Sequence, residues 1–267
     1  MKKFLLLLLM ILTVSGCGGN EPSEKDKMII GAIAQLNATP EQAKKFAKGD
    51  ALNFYDDFNS MQLALSSEKI KAVQTHGSVA RYMAANNSDF VIKESQTVKL
   101  VDDFCCAMRE QDVDLKAAFD AAIDEMKADG TLNELIDEHI NHPLEIPPSV
   151  EMPQIEGAAK IKVGITGDLP PLDLILADGT PAGFNTAVLA EISKRINKNI
   201  ELVQINSGAR AAALTSNQVD VIFWVVVPAD DSQRPKDFDT PEGVAVTEPY
   251  YQDEVNYVTL KEFAEFF

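Results

Sequence analysis

Arg210, three residues after Ser207, and His76, just past the apolar run KIKAV, are side chains able to hold a carboxylate or another acidic oxygen group. Arginine does so as a fixed, forked cation and histidine as a ring N–H donor. Trp224 adds a flat apolar face, while Asn37 and Thr39 add donors beside a helix start whose backbone N–H groups favour an anion. Asp168 and His76 are the acid–base candidates. Metal chemistry finds no support, because His76, His139 and His142 are scattered and no zinc, calcium or phosphate-loop motif occurs, so no cofactor is expected. Cys105 and Cys106 are adjacent in FCCAM, and neighbours on an extended strand point to opposite faces. A disulfide between them would distort the backbone, so both read as buried small hydrophobes.

The elements that must position these residues alternate along the chain. Met28 to Ala34 reads as a strand, and Thr39-Pro40-Glu41-Gln42 reads as a capped helix start. Strands near 51–55, 70–75 and 90–92 then alternate with helices near 59–66 and 78–85, the pattern of a parallel sheet covered on both faces. Leu115, Phe119, Ile123 and Met126 form one stripe of a long helix that Gly130 should end, with a second helix after it. Residues 143–160 carry Pro143, Pro147, Pro148 and Pro153 and read as a stiff linker. Strand and helix then alternate again, with strands at 161–165, 200–205 and 219–227 and helices at 186–196 and 210–215. The run VDVIFWVVV has no polar alternation and should be a strand buried on both sides.

At the start, Lys2 and Lys3 precede an apolar run from Phe4 to Leu12 and then Val14-Ser15-Gly16-Cys17. That is the layout of a processed export signal over residues 1–16, too short to favour a spanning helix. Its end resembles a bacterial lipoprotein box, which implies acylation of Cys17 and a flexible tether over 17–27. An extracytoplasmic protein anchored to a membrane through lipid is therefore expected, in the periplasm or at the cell surface. The formal net charge of −17 argues against a nucleic-acid partner.

Four stretches of the second half, VGITGDLPPL, ADGTPAGFNTAVLAEISKRI, ALTSNQVDVIFW and VTEPYYQ, resemble in order and spacing the first lobe of the solute-binding proteins of ABC importers, the class that includes polar amino-acid binders. In the first half, NSMQLALSSEKIKAVQTHGSVARYMA resembles that family's second lobe, and FCCAMREQDVDLKAAFDAAIDEMKADGTLNELIDEHI resembles its return strand and C-terminal helices. The resemblance implies an α/β fold of the two-lobed periplasmic-binding-protein type (type II), with the lobes in permuted order. The second lobe would occupy 28–97, the return strand and helices 98–142, the linker 143–160, and the N-terminal part of the first lobe 161–267. One covalent segment near Val98 would then join the lobes. Circular permutation within a monomer and a swapped dimer both satisfy this order.

The resemblance also places the site. Thr166, Asp168 and Leu169 would lie on the loop after the first strand of the first lobe, and Ser207 and Arg210 at the next helix start. Trp224, Val225 and Val227 fall at strand-end positions that often carry small hydroxyl residues in the family. Arg210 and Arg234 compete for the role of carboxylate-binding arginine. His76 falls where relatives carry an acidic residue, and a histidine cannot balance an ammonium. Asn37 and Thr39, in the same lobe as His76, would offer side-chain donors to the ligand. Arg210 as a loop-capping residue, His76 as a plain loop residue and Trp224 as core are the competing readings.

The function expected is a lipid-anchored binding protein that closes on a small polar or anionic, amino-acid-like solute and delivers it to an ABC transporter permease, and it is not an enzyme. A surface sensor or scaffold keeping the fold, and a dehydratase-like enzyme on the same scaffold, are the alternatives.

Overall fold

Apolar runs too short for helices become strands, and the amphipathic stretches between them become helices that cover the sheet. The computed structural model describes residues 29–34, 52–94, 99–229 and 240–267, so Cys17, Asn37, Thr39 and Arg234 lie outside the described residues. Strands β1 (Ile30–Ile33), β2 (Leu52–Tyr55), β3 (Ala72–His76) and β4 (Phe90–Glu94) come with helices α1 (Phe58–Ser66) and α2 (Gly77–Asn86). Strand β5 (Val101–Arg109) leads into α3 (Val113–Asp129) and α4 (Thr131–Ile136). The second half holds β6 (Lys160–Ile165), β7 (Asp168–Leu169), β8 (Asp173–Ile175), β9 (Pro181–Ala182), α5 (Phe184–Ile196), β10 (Asn199–Gln204), α6 (Arg210–Thr215), β11 (Val221–Pro228), β12 (Val244–Val246) and β13 (Tyr251–Leu260).

The helix ends follow the sequence signals. Asp57 caps α1 by accepting from the Ser60 backbone N–H at 2.7 Å. Gly130 ends α3 with φ +88°, a left-handed conformation that suits glycine, and α4 starts at once. Phe119, Ile123 and Met126 bury the inner stripe of α3.

The mixed α/β class is the one expected, but the sheet is not purely parallel. In each lobe three strands run parallel, in the order β10-β6-β11 and β2-β1-β3. In each, the fourth strand runs antiparallel: β5 beside β11 and β13 beside β3. The reason is that β5 and β13 each arrive from the other lobe and so run against the strands they join. Tyr251–Glu254 of β13 pair with β5, whereas residues 255–260 pair with β3 and β4. Val98 lies outside the described residues, but the expectation of a single connection is corrected, since β13 passes from one lobe to the other.

The proline-rich linker is strapped onto the first lobe, with Val150 N–H donating to Pro181 O at 2.8 Å and Gly183 N–H to Pro148 O at 3.1 Å. It also touches the second lobe, where the Tyr82 hydroxyl donates to Glu145 O at 2.8 Å.

The run read as doubly buried is buried: Val221 to Val226 are all at most 3% exposed. The register of β11 against β5 slips between Phe223 and Val225. This bulge puts Phe223 and Trp224 into the main core with Phe104, and turns Ile222 and Val225 to the opposite face, against Cys105 and Leu214.

Cys105 and Cys106 are free and buried, one in each core cluster, as strand alternation requires. Burial pushes the Cys105 thiol up to about 12 and the Cys106 thiol well above its ordinary range. In a form lacking residues 1–17, a thiol reagent is expected to find no reactive cysteine in the native protein and two per chain in denaturant. Modification of either thiol under native conditions would contradict this packing. Among the described residues no helix is long and apolar enough to cross a membrane.

Candidate functional site

The C-terminal ends of the parallel strands carry most of the residues singled out by sequence. Arg210 opens α6 and is fully buried. Its Nε donates to Ser207 O at 3.3 Å, one terminal nitrogen donates to Trp224 O, and the other reaches Ala34 O, at the end of β1 in the second lobe, at 3.4 Å. The guanidinium also lies 4.8 Å from the centre of the Trp224 ring. A buried cation needs such acceptors, because desolvation alone would cost several kcal/mol.

Trp224 packs with Phe104 at 5.4 Å and His76 at 6.2 Å between ring centres. Among the described residues its buried indole Nε1 has no hydrogen-bond partner, and neither has the Ser207 hydroxyl. His76 ends β3 in the second lobe, and its Nε2 donates to Asp102 Oδ2 on β5 at 3.0 Å. Its ring stands edge-on to Phe104 at 4.6 Å.

Asp168 is half-buried on β7, and its carboxylate accepts from the Phe58 backbone N–H at 3.0 Å. Phe58 is the first residue of α1, so a first-lobe carboxylate satisfies an otherwise unpaired N–H at a second-lobe helix start. Burial raises the Asp168 carboxyl above its ordinary value, against the pull of that hydrogen bond. Close by, Ser207 N–H donates to Asp56 O at 3.3 Å.

Arg210, Ser207, Trp224, His76 and Asp168 thus meet at the boundary between the lobes. Three others do not open onto it. Thr166 is buried, with its hydroxyl and N–H both donating to Asp173. Leu169 is core at 3% exposure, and Val225 is turned to the far face by the bulge. Tyr250 is structural, its hydroxyl donating to Asn185 Oδ1 at 3.0 Å and its ring stacked on Phe223.

The residues that sequence reading passed over are Asp102, Phe104 and Asp56. Asp102 carried one signal, an acidic residue leading into an apolar strand. A cavity of about 740 Å3 lies elsewhere, lined by Val150, Met152, Ile175, Ile200 and Leu202 among others. All of these belong to the first lobe or its linker, so closure of one lobe on the other cannot grip anything there, and the lobe boundary remains the better candidate.

Residues 161–264 match the model of the bacterial extracellular solute-binding proteins, family 3. The matched stretch runs from β6 into the segment after β13, and it contains Asp168, Ser207, Arg210 and Trp224 but not His76. The resemblance of the second half is borne out there, and it supports a solute-binding role. Among solved structures, the ligand-binding component of an ABC-type import system from Staphylococcus aureus, with zinc bound, is 12% identical, covering 90% of this chain and 68% of its own at a TM-score of 0.44. An amino-acid ABC transporter substrate-binding protein from Streptococcus pneumoniae, bound to L-arginine, is 13% identical, with 89% and 83% covered and a TM-score of 0.41. The reduced OxyR regulatory domain from Pseudomonas aeruginosa is 11% identical, with 91% and 96% covered and a TM-score of 0.37.

Proposed function

We propose that this protein is an extracytoplasmic solute-binding protein of an ABC importer, lipid-anchored through Cys17, that takes a small acidic solute between its two lobes. The observation that carries the reading is the family match over 161–264, which falls on the lobe whose strand ends present Arg210, Ser207, Trp224 and Asp168 to the other lobe. His76 contributes from the second lobe, and Asn37, Thr39 and Arg234 belong to the same proposed site. The repeated strand order, with β5 and β13 exchanged between lobes, fits a binding protein whose lobes follow each other in circularly permuted order. A swapped dimer would satisfy the same pairing.

The chemistry disfavours a free amino acid. Two of the carboxylates at the boundary are already engaged, Asp168 by the Phe58 N–H and Asp102 by His76. Trp224 Nε1 and the Ser207 hydroxyl, which have no partner among the described residues, can both donate to an oxygen. An acid without an ammonium suits that set.

The test is a thermal-shift screen of the form lacking residues 1–17 against amino acids, dicarboxylates, keto acids, small peptides and sugars, after unfolding and refolding to remove bound solute. A cognate acid at a hundred times its dissociation constant is expected to add about 2.7 kcal/mol of stability. A hit confined to ordinary amino acids would overturn the proposed chemistry. No hit at all would favour a sensor or scaffold, a reading that the contacts between Arg210 and protein carbonyls also accommodate.

A further inference from the structure

The boundary between the lobes is bridged by the protein's own groups. Arg210, on the first lobe, is fully buried and reaches Ala34 O on the second. Asp168 caps α1 from across the boundary, Ser207 N–H meets Asp56 O, and His76 meets Asp102. Gly208 packs against the tip of the Asp56 side chain, where a Cβ would come within 2.6 Å of Oδ1.

These contacts bear on how closure works. A solute shifts an open–closed equilibrium only by its differential affinity for the two states. Where side chains of the protein already bridge the lobes, closure has a source of free energy that is independent of solute. We propose that this chain carries its own closing latch, built from Arg210 and Asp168, which holds the two lobes together before any solute arrives. A solute then enters by competing with the latch, and its apparent affinity falls in proportion to the fraction of molecules that are open.

The latch is tested by distance measurement with no solute present, so its failure is distinct from failure of the proposed solute chemistry. Spin labels are placed through Leu63→Cys on the second lobe and Val113→Cys on the first, both exposed positions, in the full chain carrying Cys17→Ser. Cys105 and Cys106 are buried and stay unlabelled. After unfolding and refolding to remove bound molecules, one short-distance population is expected. Asp168→Ala is expected to raise the ratio of long-distance to short-distance molecules about tenfold, as loss of a charge-assisted hydrogen bond would. Arg210→Ala is expected to raise it further.

A long-distance population that dominates without solute in the otherwise unaltered chain would overturn the latch. So would variants that both keep the parent distribution. If Arg210→Ala does not refold, Asp168→Ala decides, because its side chain is only half-buried and lies outside the core.

Discussion

Trp224→Ala is expected to lower the free energy of unfolding by about 3–5 kcal/mol, the range for emptying a large aromatic site in a packed core. The side chain is 1% exposed and touches the Phe104 ring, the His76 ring and the Arg210 guanidinium. Truncation would leave a cavity between two lobes and strip the cation of its aromatic face. Trp224→Phe should cost clearly less, because an aromatic ring remains and the lost indole N–H has no partner among the described residues to forfeit. Urea unfolding midpoints of the two variants separate these cases. A loss below about 1 kcal/mol for the alanine variant would mean that the indole is not part of the core. The same pair addresses function, since a phenylalanine that keeps stability but weakens binding of an identified acid would show that the indole N–H serves the solute.

How Trp224 came to be core marks the limit of what residue order discloses. The burial of VDVIFWVVV was legible, because eight apolar residues in nine with no polar alternation leave no face for water. The stop at Gly130 and the helix after it were legible for similar local reasons. The bulge between Phe223 and Val225 was not, and it decides which neighbours share a face. Simple alternation would have put Phe223 and Val225 together and Trp224 opposite them. The structure instead groups Phe223 with Trp224.

The antiparallel placement of β5 and β13 was illegible for another reason. Strand direction within a sheet depends on which lobe the chain has just left, and that is a property of the whole path. The same holds for the pairs His76–Asp102 and Asp168–Phe58, whose members lie 26 and 110 residues apart. Residue types flagged His76 and Asp168 as chemically able, but their partners are set by tertiary contact. The family match bears the second-half resemblance out over 161–264.

Asp173 supplies the second large effect. Its carboxylate is 0% exposed and accepts from the Thr166 hydroxyl, the Thr166 N–H and the Gly167 N–H. Burial nevertheless outweighs those donors and raises the group from 3.8 to about 6. The sign follows from proton uptake. Between the two values the folded protein holds a proton that the unfolded chain has released, so stability contributed by the neutral acid is complete below 3.8 and lost as pH rises through about 6. The shift of roughly two units corresponds to about 3 kcal/mol. Asp173→Asn cannot titrate, so subtracting its unfolding free energy from that of the parent at each pH cancels the other carboxylates. The difference is expected to fall by about 2.4 kcal/mol between pH 4 and pH 7.5, as read from urea unfolding at a series of pH values. A difference that rises over that range would mean that the three donors outweigh desolvation and that the carboxylate is held ionised. In that case Thr166 and Gly167 would form a small anion cradle, and the loop before Asp168 would be stabilised by charge rather than by a neutral acid.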